Sequence, residues 1–147
     1  MSRDEIVEFR SRLGNVMRHP SQWKQTDEGD TMMLESPDGH AKFVIWSCTV
    51  AGSGSPSDFL ETIVGGLERE TGLKRGDAES VDFETGKATK VSLRGGEDSE
   101  ESWNVYTLRS GDFYHALMLR ATPLAMELNG PFYDEIAITF SGASKSP

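Results

Sequence analysis

The run "HAKFVIWSCTV" at residues 40–50 limits what this chain can fold into more than any other stretch. In an extended chain successive side chains alternate, so Phe43 and Ile45 point one way and Val44 and Trp46 the other. Both faces are apolar, and a strand of that kind belongs inside a sheet that is covered above and below. "FYHALMLRAT" at 113–122 has the same character: Phe113, His115, Leu117 and Leu119 share one face, Tyr114, Ala116 and Met118 the other. The remaining segments must supply the cover.

Turn chemistry shows how the strands connect. Pro37, Asp38 and Gly39 join "DTMMLES" to the central run, with Pro37 presetting its own φ and Gly39 accepting a positive one. A second hairpin turns at Thr85-Gly86, with Val81 and Phe83 expected to answer Val91 and Leu93. A third turns at Ser110-Gly111-Asp112. "NVMRH" at 15–19 reads as a short extended piece stopped by Pro20. Sequential hairpins specify an antiparallel sheet, of about six strands by this count.

The clearest helix lies within residues 52–72: Ser55 caps it, Pro56 and Asp58 suit its first turn, and Gly72 closes it. Phe59, Leu60, Ile63, Val64 and Leu67 form its apolar stripe, and Gly65 and Gly66 suggest close approach to the sheet. Residues 3–13 place Ile6, Phe9 and Leu13 at helical spacing behind Ser2, which predicts an N-terminal helical extension over 1–13 that Gly14 stops. Pro123 opens a short helical piece that Gly130-Pro131 should break, before a closing helix carrying Phe132, Ile136 and Phe140. The main domain then spans 14–141, and 142–147 reads as a disordered tail. The fold class is α+β: an α/β/α sandwich around a central antiparallel sheet.

Composition narrows the function. A net charge of −9 argues against general nucleic-acid binding, which needs clustered Lys and Arg, and suits a basic protein partner. No apolar run reaches membrane-spanning length, and "SRDE" at the start leads into no signal-peptide core, so no membrane partner and a cytoplasmic location are expected, although a chain whose leader had been removed would read the same. The single cysteine, Cys48, reads as a small buried hydrophobe. His19, His40 and His115 fall in loop, turn and strand without metal-ligand spacing, so neither metal nor cofactor is expected. Asp134 and Glu135 read as solvated carboxylates on a helix's wet face.

Candidate binding residues are aromatic or lie on the central arms: Trp23, which follows a loop, and Trp46, Tyr114 and His115. Gly52, Gly54 and Ser55 match part of a phosphate-cradling pattern and form a weak anion-binding candidate, against the plainer reading of a loop and helix cap. No catalytic residues are assigned: no serine sits in a nucleophile elbow. An enzyme would need a cleft where His115 or His19 meets a carboxylate or hydroxyl.

"HPSQW", "ESPDGHAKFVIW", the Ser-Pro-Ser-Asp-Phe-Leu helix entry, "FYHALMLRAT" and "FYDEIAITF" occur here in an order that resembles the PsbP-like family. That family groups PsbP, the Ran-binding factor Mog, DcrB-type proteins and the Eag chaperones of secretion effectors. The likeness starts near Val16 and implies the same sandwich, with Pro20 and Trp23 at a corner of the fold. It implies a non-enzymatic protein-binding module, a chaperone or adaptor, whose partner is basic or effector-like. The alternative is a carrier of a small apolar ligand, held between sheet and helix beside Trp46, Tyr114 or His115.

Overall fold

The computed structural model of the chain describes residues 5–145. Strands β1 (Ile6–Arg10) and β2 (Val16–Pro20) form a two-stranded antiparallel sheet. Next come β3 (Lys24–Asp27), β4 (Thr31–Glu35) and β5 (Ala41–Thr49), then helix α1 (Pro56–Thr71). After it run β6 (Lys74–Arg75), β7 (Glu79–Phe83), β8 (Gly86–Arg94), β9 (Ser102–Ser110) and β10 (Phe113–Ala121), and helix α2 (Pro123–Ala137) follows. The main sheet has eight strands rather than about six, in the order β3-β4-β5-β10-β9-β8-β6, with β7 also on β8. Its pairings are antiparallel, as the hairpins require.

The two doubly apolar strands are neighbours at the centre, with Ile45 opposite Leu117 and Val44 opposite Met118. One face of the sheet carries Phe43, Ile45, Leu117 and Leu119 and packs against Tyr133 and Ile136 of α2 and Phe9 and Met17 of the small sheet. On the other face α1 buries Val64 against Val91, Leu93 and Val105, and Phe59 against Tyr114 and Ala116. The cover on this second face is incomplete: Val44, Trp46 and Cys48 of β5 and Met33 of β4 are only half-buried. Cys48 is therefore a partly exposed thiol rather than a core residue.

Helix α1 forms as its residues dictate. The Ser55 hydroxyl accepts from the Asp58 amide, the Asp58 side chain accepts from the Ser55 amide, and Gly72 ends the helix at φ +74°. The paired glycines have another reason than the sheet. A Cβ on Gly65 would meet the side chains of Glu61 and Arg69 at 3.3 and 3.4 Å, and one on Gly66 would meet nothing within 4 Å.

Four expectations are corrected. Residues 6–10 form a strand, not a helix: Val7, Phe9 and Ser11 turn inward at a period of two, and Gly14, at φ +106°, sits in a hairpin turn instead of ending a helix. The turn is closed by the Ser11 amide on the Asn15 carbonyl at 2.8 Å, and Ser2, the expected cap, lies outside the described residues. Helix α2 runs unbroken through Gly130 and Pro131 and stops at Ala137, so Phe140 lies beyond it. Pro131 removes a helical hydrogen bond to the Glu127 carbonyl, but both residues are on the exposed side, where water can serve that carbonyl. In the second hairpin Val81 pairs with Ala88 and Phe83 with Gly86; they lie on the α2 side, whereas Val91 and Leu93 pack under α1. The tail is held rather than disordered through residue 144: Ser141 pairs with Val16, and the Ser144 carbonyl accepts from the Asp112 amide at 2.8 Å.

Candidate functional site

The residues singled out in the sequence fall in separate places. Trp46, Phe59 and Tyr114 stack in series between sheet and α1, with ring centroids 6.0 and 4.9 Å apart. Their rings fill the space where a ligand pocket beside Trp46 and Tyr114 would lie. Trp23 is buried on the other face, against Phe43, Phe132 and Tyr133, and lines a shallow depression with Pro37, Asp38 and Asn129. Ser55 is the α1 cap, and Gly54 offers its carbonyl to the Tyr114 hydroxyl at 2.8 Å. At this helix start the chain's own carboxylate, Asp58, already takes the place an anion would occupy; its pKa is lowered chiefly by the Ser55 amide.

His115 sits in a closed polar circuit beneath the tail. The Ala143 carbonyl can only accept, so His115 Nε2 carries the proton and donates to it at 3.1 Å. Nδ1 then accepts from the Ser47 hydroxyl at 2.6 Å, and Ser47 accepts from the Asn15 side-chain amide at 2.9 Å. Asn15 closes the ring by accepting from the Ala143 amide at 2.8 Å. Burial holds the His115 pKa down at about 4, against the smaller opposing effect of the Ala143 carbonyl. A neutral imidazole beside a serine hydroxyl is the pairing nucleophilic catalysis uses. Here, however, His115 is 0% and Ser47 3% exposed, and a Cβ on Gly142 would lie 2.2 Å from the imidazole Nε2. The pair is sealed by backbone and ties the tail to β5 and β10.

His19 belongs to β2, not to a loop. Its Nδ1 donates to the Pro20 carbonyl at 2.7 Å and its Nε2 accepts from Gln25 at 2.8 Å, with burial lowering its pKa. His40 is exposed in the turn beside Asp38, 3.6 Å away. Among the described residues no three of His, Cys, Asp and Glu are grouped as metal ligands would be, and no helix is long and apolar enough to cross a membrane.

Two features escaped the sequence reading. Asp134 is not a free solvated carboxylate. It accepts from the Tyr106 hydroxyl and from Lys90 Nζ at 3.1 and 3.2 Å, anchoring α2 to β8 and β9. Burial first, and the Asp134 charge second, push the Tyr106 pKa up. The other feature is the outward face of α2, where Leu124 is 64% and Leu128 69% exposed. The inward face of the same helix is made separately by Ala125, Met126, Tyr133 and Ile136. The signal was present as a four-residue spacing, which puts both leucines on one side of a turn. What the spacing could not show is that the core takes the opposite face of the helix and leaves this one exposed.

Two shallow depressions border this face. One of about 250 Å³ separates the first turn, at Pro123, Met126 and Glu127, from the loop at Gly95, Gly96 and Ser99. The other, about 150 Å³, lies where Asn129 and Phe132 meet Pro37 and Asp38. In the first, Arg94 turns its guanidinium onto the Trp103 carbonyl at 2.7 Å and Asn104 at 2.9 Å.

No protein-family model matches the chain, and no curated protein does. Solved structures do. Cyanobacterial PsbP from Synechocystis sp. PCC 6803 aligns with a TM-score of 0.71 at 10% identity, over 95% of this chain and 94% of that one. The Ran-binding protein Mog1p of Saccharomyces cerevisiae aligns at 0.61 and 9% identity, over 94% and 95%. The Pseudomonas aeruginosa protein PA94, of unknown function, aligns at 0.56 and 14% identity, over 93% and 96%. The likeness is one of fold and agrees with the family resemblance read in the sequence: this chain is built as PsbP and Mog1p are.

Proposed function

We propose that this protein is a non-enzymatic protein-binding module, an adaptor or chaperone. The observation that carries the reading is the pair Leu124 and Leu128, more than half exposed and one turn apart on α2. Contiguous exposed apolar groups rimmed by polar residues are a mark of protein interaction sites. The fold shared with a Ran-binding protein is consistent with it. The sealed state of Ser47 and His115 also favours a structural role for the one nucleophile–base pair described above. Affinity capture from the native host at low and high salt, followed by reconstitution with the purified partner, tests the reading. A partner that binds the purified chain directly supports it; nothing retained at either salt removes it.

A second reading, a small-ligand carrier, rests on an open groove of about 500 Å³ between the start of α1 and the sheet, at Ser55, Pro56, Leu60, Thr89 and Thr107. Its size is in the range of ligand sites. Trp46, Tyr114 and His115 do not line it. Displacement of a fluorescent apolar probe that a bulky Leu60 replacement abolishes would favour this carrier.

A further inference from the structure

Resting on the protein-binding reading, we infer that the outward face of α2 docks a basic amphipathic segment of a partner protein, which sets apolar side chains between Leu124 and Leu128 and cations on the rim. The apolar part is a short stripe: Leu124, Leu128 and then exposed Pro131, at intervals of four and three along the helix. Neither leucine is needed for the core, because α2 buries a different set of residues. The chain thus keeps apolar groups on both sides of one helix, an arrangement found where the second side meets something else.

The rim chooses among occupants. Glu127 lies on α2 itself, and the loop across the first depression continues into Glu97, Asp98 and Glu100, all exposed. Asp38 borders the second depression on the other side of the helix. Three cations lie in or beside this rim: Arg94 bonds the Leu93 and Trp103 carbonyls and Asn104, and Lys42 and Arg120 share a depression with Glu100 and Glu101 beside Thr122 at the start of α2, so the acids outnumber the cations. A second copy of the chain would bring the same acids against themselves across a two-fold contact, and an anionic lipid surface would be repelled likewise. A segment that pairs leucine-like anchors with Lys or Arg meets both the stripe and the rim.

The test uses the full chain and fluorescein-labelled amphipathic helices of leucine and lysine, of leucine and glutamate, and a scrambled leucine–lysine control. Anisotropy should show the leucine–lysine helix binding at least about tenfold more tightly than either other peptide. L124S/L128S leaves the net charge of −9 untouched and should weaken that binding by about tenfold or more, and L124A/L128A, which cannot disturb a core, should weaken it in the same direction. Equal binding by wild type and both variants would mean charge adhesion alone and would overturn the proposal. So would preference for the glutamate helix, a wild-type dimer that the variants dissolve, or leucine-dependent binding to phosphatidylserine vesicles. If a host partner is captured but survives L124S/L128S, the protein-binding reading stands and this docking face falls.

Discussion

His115 shows how one residue's surroundings decide its chemistry. It is fully buried and neutral, and its folded pKa of about 4 lies below the ordinary value of 6.5. Between those values the unfolded chain binds a proton that the folded chain refuses, so the stability due to this group is full above pH 6.5 and falls as pH drops toward 4. The shift corresponds to about 3 kcal/mol. His19 is also buried with a lowered pKa, so wild type carries both effects. The difference between wild type and His115→Gln isolates one of them: the stability gap between the two, from urea unfolding, should narrow by about 2–3 kcal/mol from pH 7.5 to pH 4.5. The gap therefore narrows because the variant's stability is the less pH-dependent of the two. Ser47→Ala, measured at pH 7.5, should cost about 1–3 kcal/mol, because it leaves His115 Nδ1 and the Asn15 amide without their partner. The sequence exposed His115 as an inward-facing strand residue but not its circuit. Ser47 and Asn15 lie 68 and 100 positions away from it, and only the cross-strand register, Ser47 opposite His115, brings the first pair together.

At the scale of elements, legibility followed how local the deciding physics was. Helix α1 was readable because Ser55, Pro56, Asp58 and Gly72 are all within the helix or at its ends and act through its own backbone. β1 was misread because its five residues tolerate either period, and pairing with β2 decided between them. α2 was misread because a proline inside a helix, at about 3 kcal/mol, normally decides the matter. Here Met126 before it and Tyr133 and Ile136 after it are all buried against one core, and that burial outweighs the lost bond. The helical piece read from Pro123 already put Leu124 and Leu128 on one side; which side the core would take was set by distant residues. Gly66 offers a check on local propensity: open space surrounds a Cβ there and its φ is not in the positive region. Gly66→Ala should therefore raise stability by about 0.5–1 kcal/mol, seen as a higher thermal midpoint. Gly65→Ala should gain less, since its new methyl must displace the ends of Glu61 and Arg69, which crowd beside the ion pairs of Arg75 with Glu61 and Glu68.

For the whole molecule, the centre was written in the sequence and the closure was not. Two strands apolar on both faces belonged inside the sheet, and β5 and β10 pair at its centre, although the cover over β5 on the α1 side is incomplete. Nothing local in residues 141–144 reveals that they close the fold, since their hydrogen bonds go to groups far away in sequence. The Ser141 amide and carbonyl bond Val16 at 2.8 and 2.9 Å, the Ala143 amide bonds Asn15, and the Ser144 carbonyl bonds Asp112. The tail thus joins the β1–β2 sheet to the β9–β10 turn and covers His115. Gly111 fits the same closure, since a Cβ there would meet the Ser144 carbonyl at 2.2 Å. A chain ending at Phe140 loses these bonds and opens the imidazole to water. At about 1 kcal/mol for each hydrogen bond, truncation should cost about 3–5 kcal/mol. The loss should be uneven. Hydrogen exchange should quicken first in β1 and β2, which depend on the tail, while β5 and β10 keep the protection of the central sheet. Uniform quickening would mean that the tail supports the whole core. Unchanged exchange in β1 and β2 would mean that packing of Phe9 and Met17 alone holds the small sheet in place.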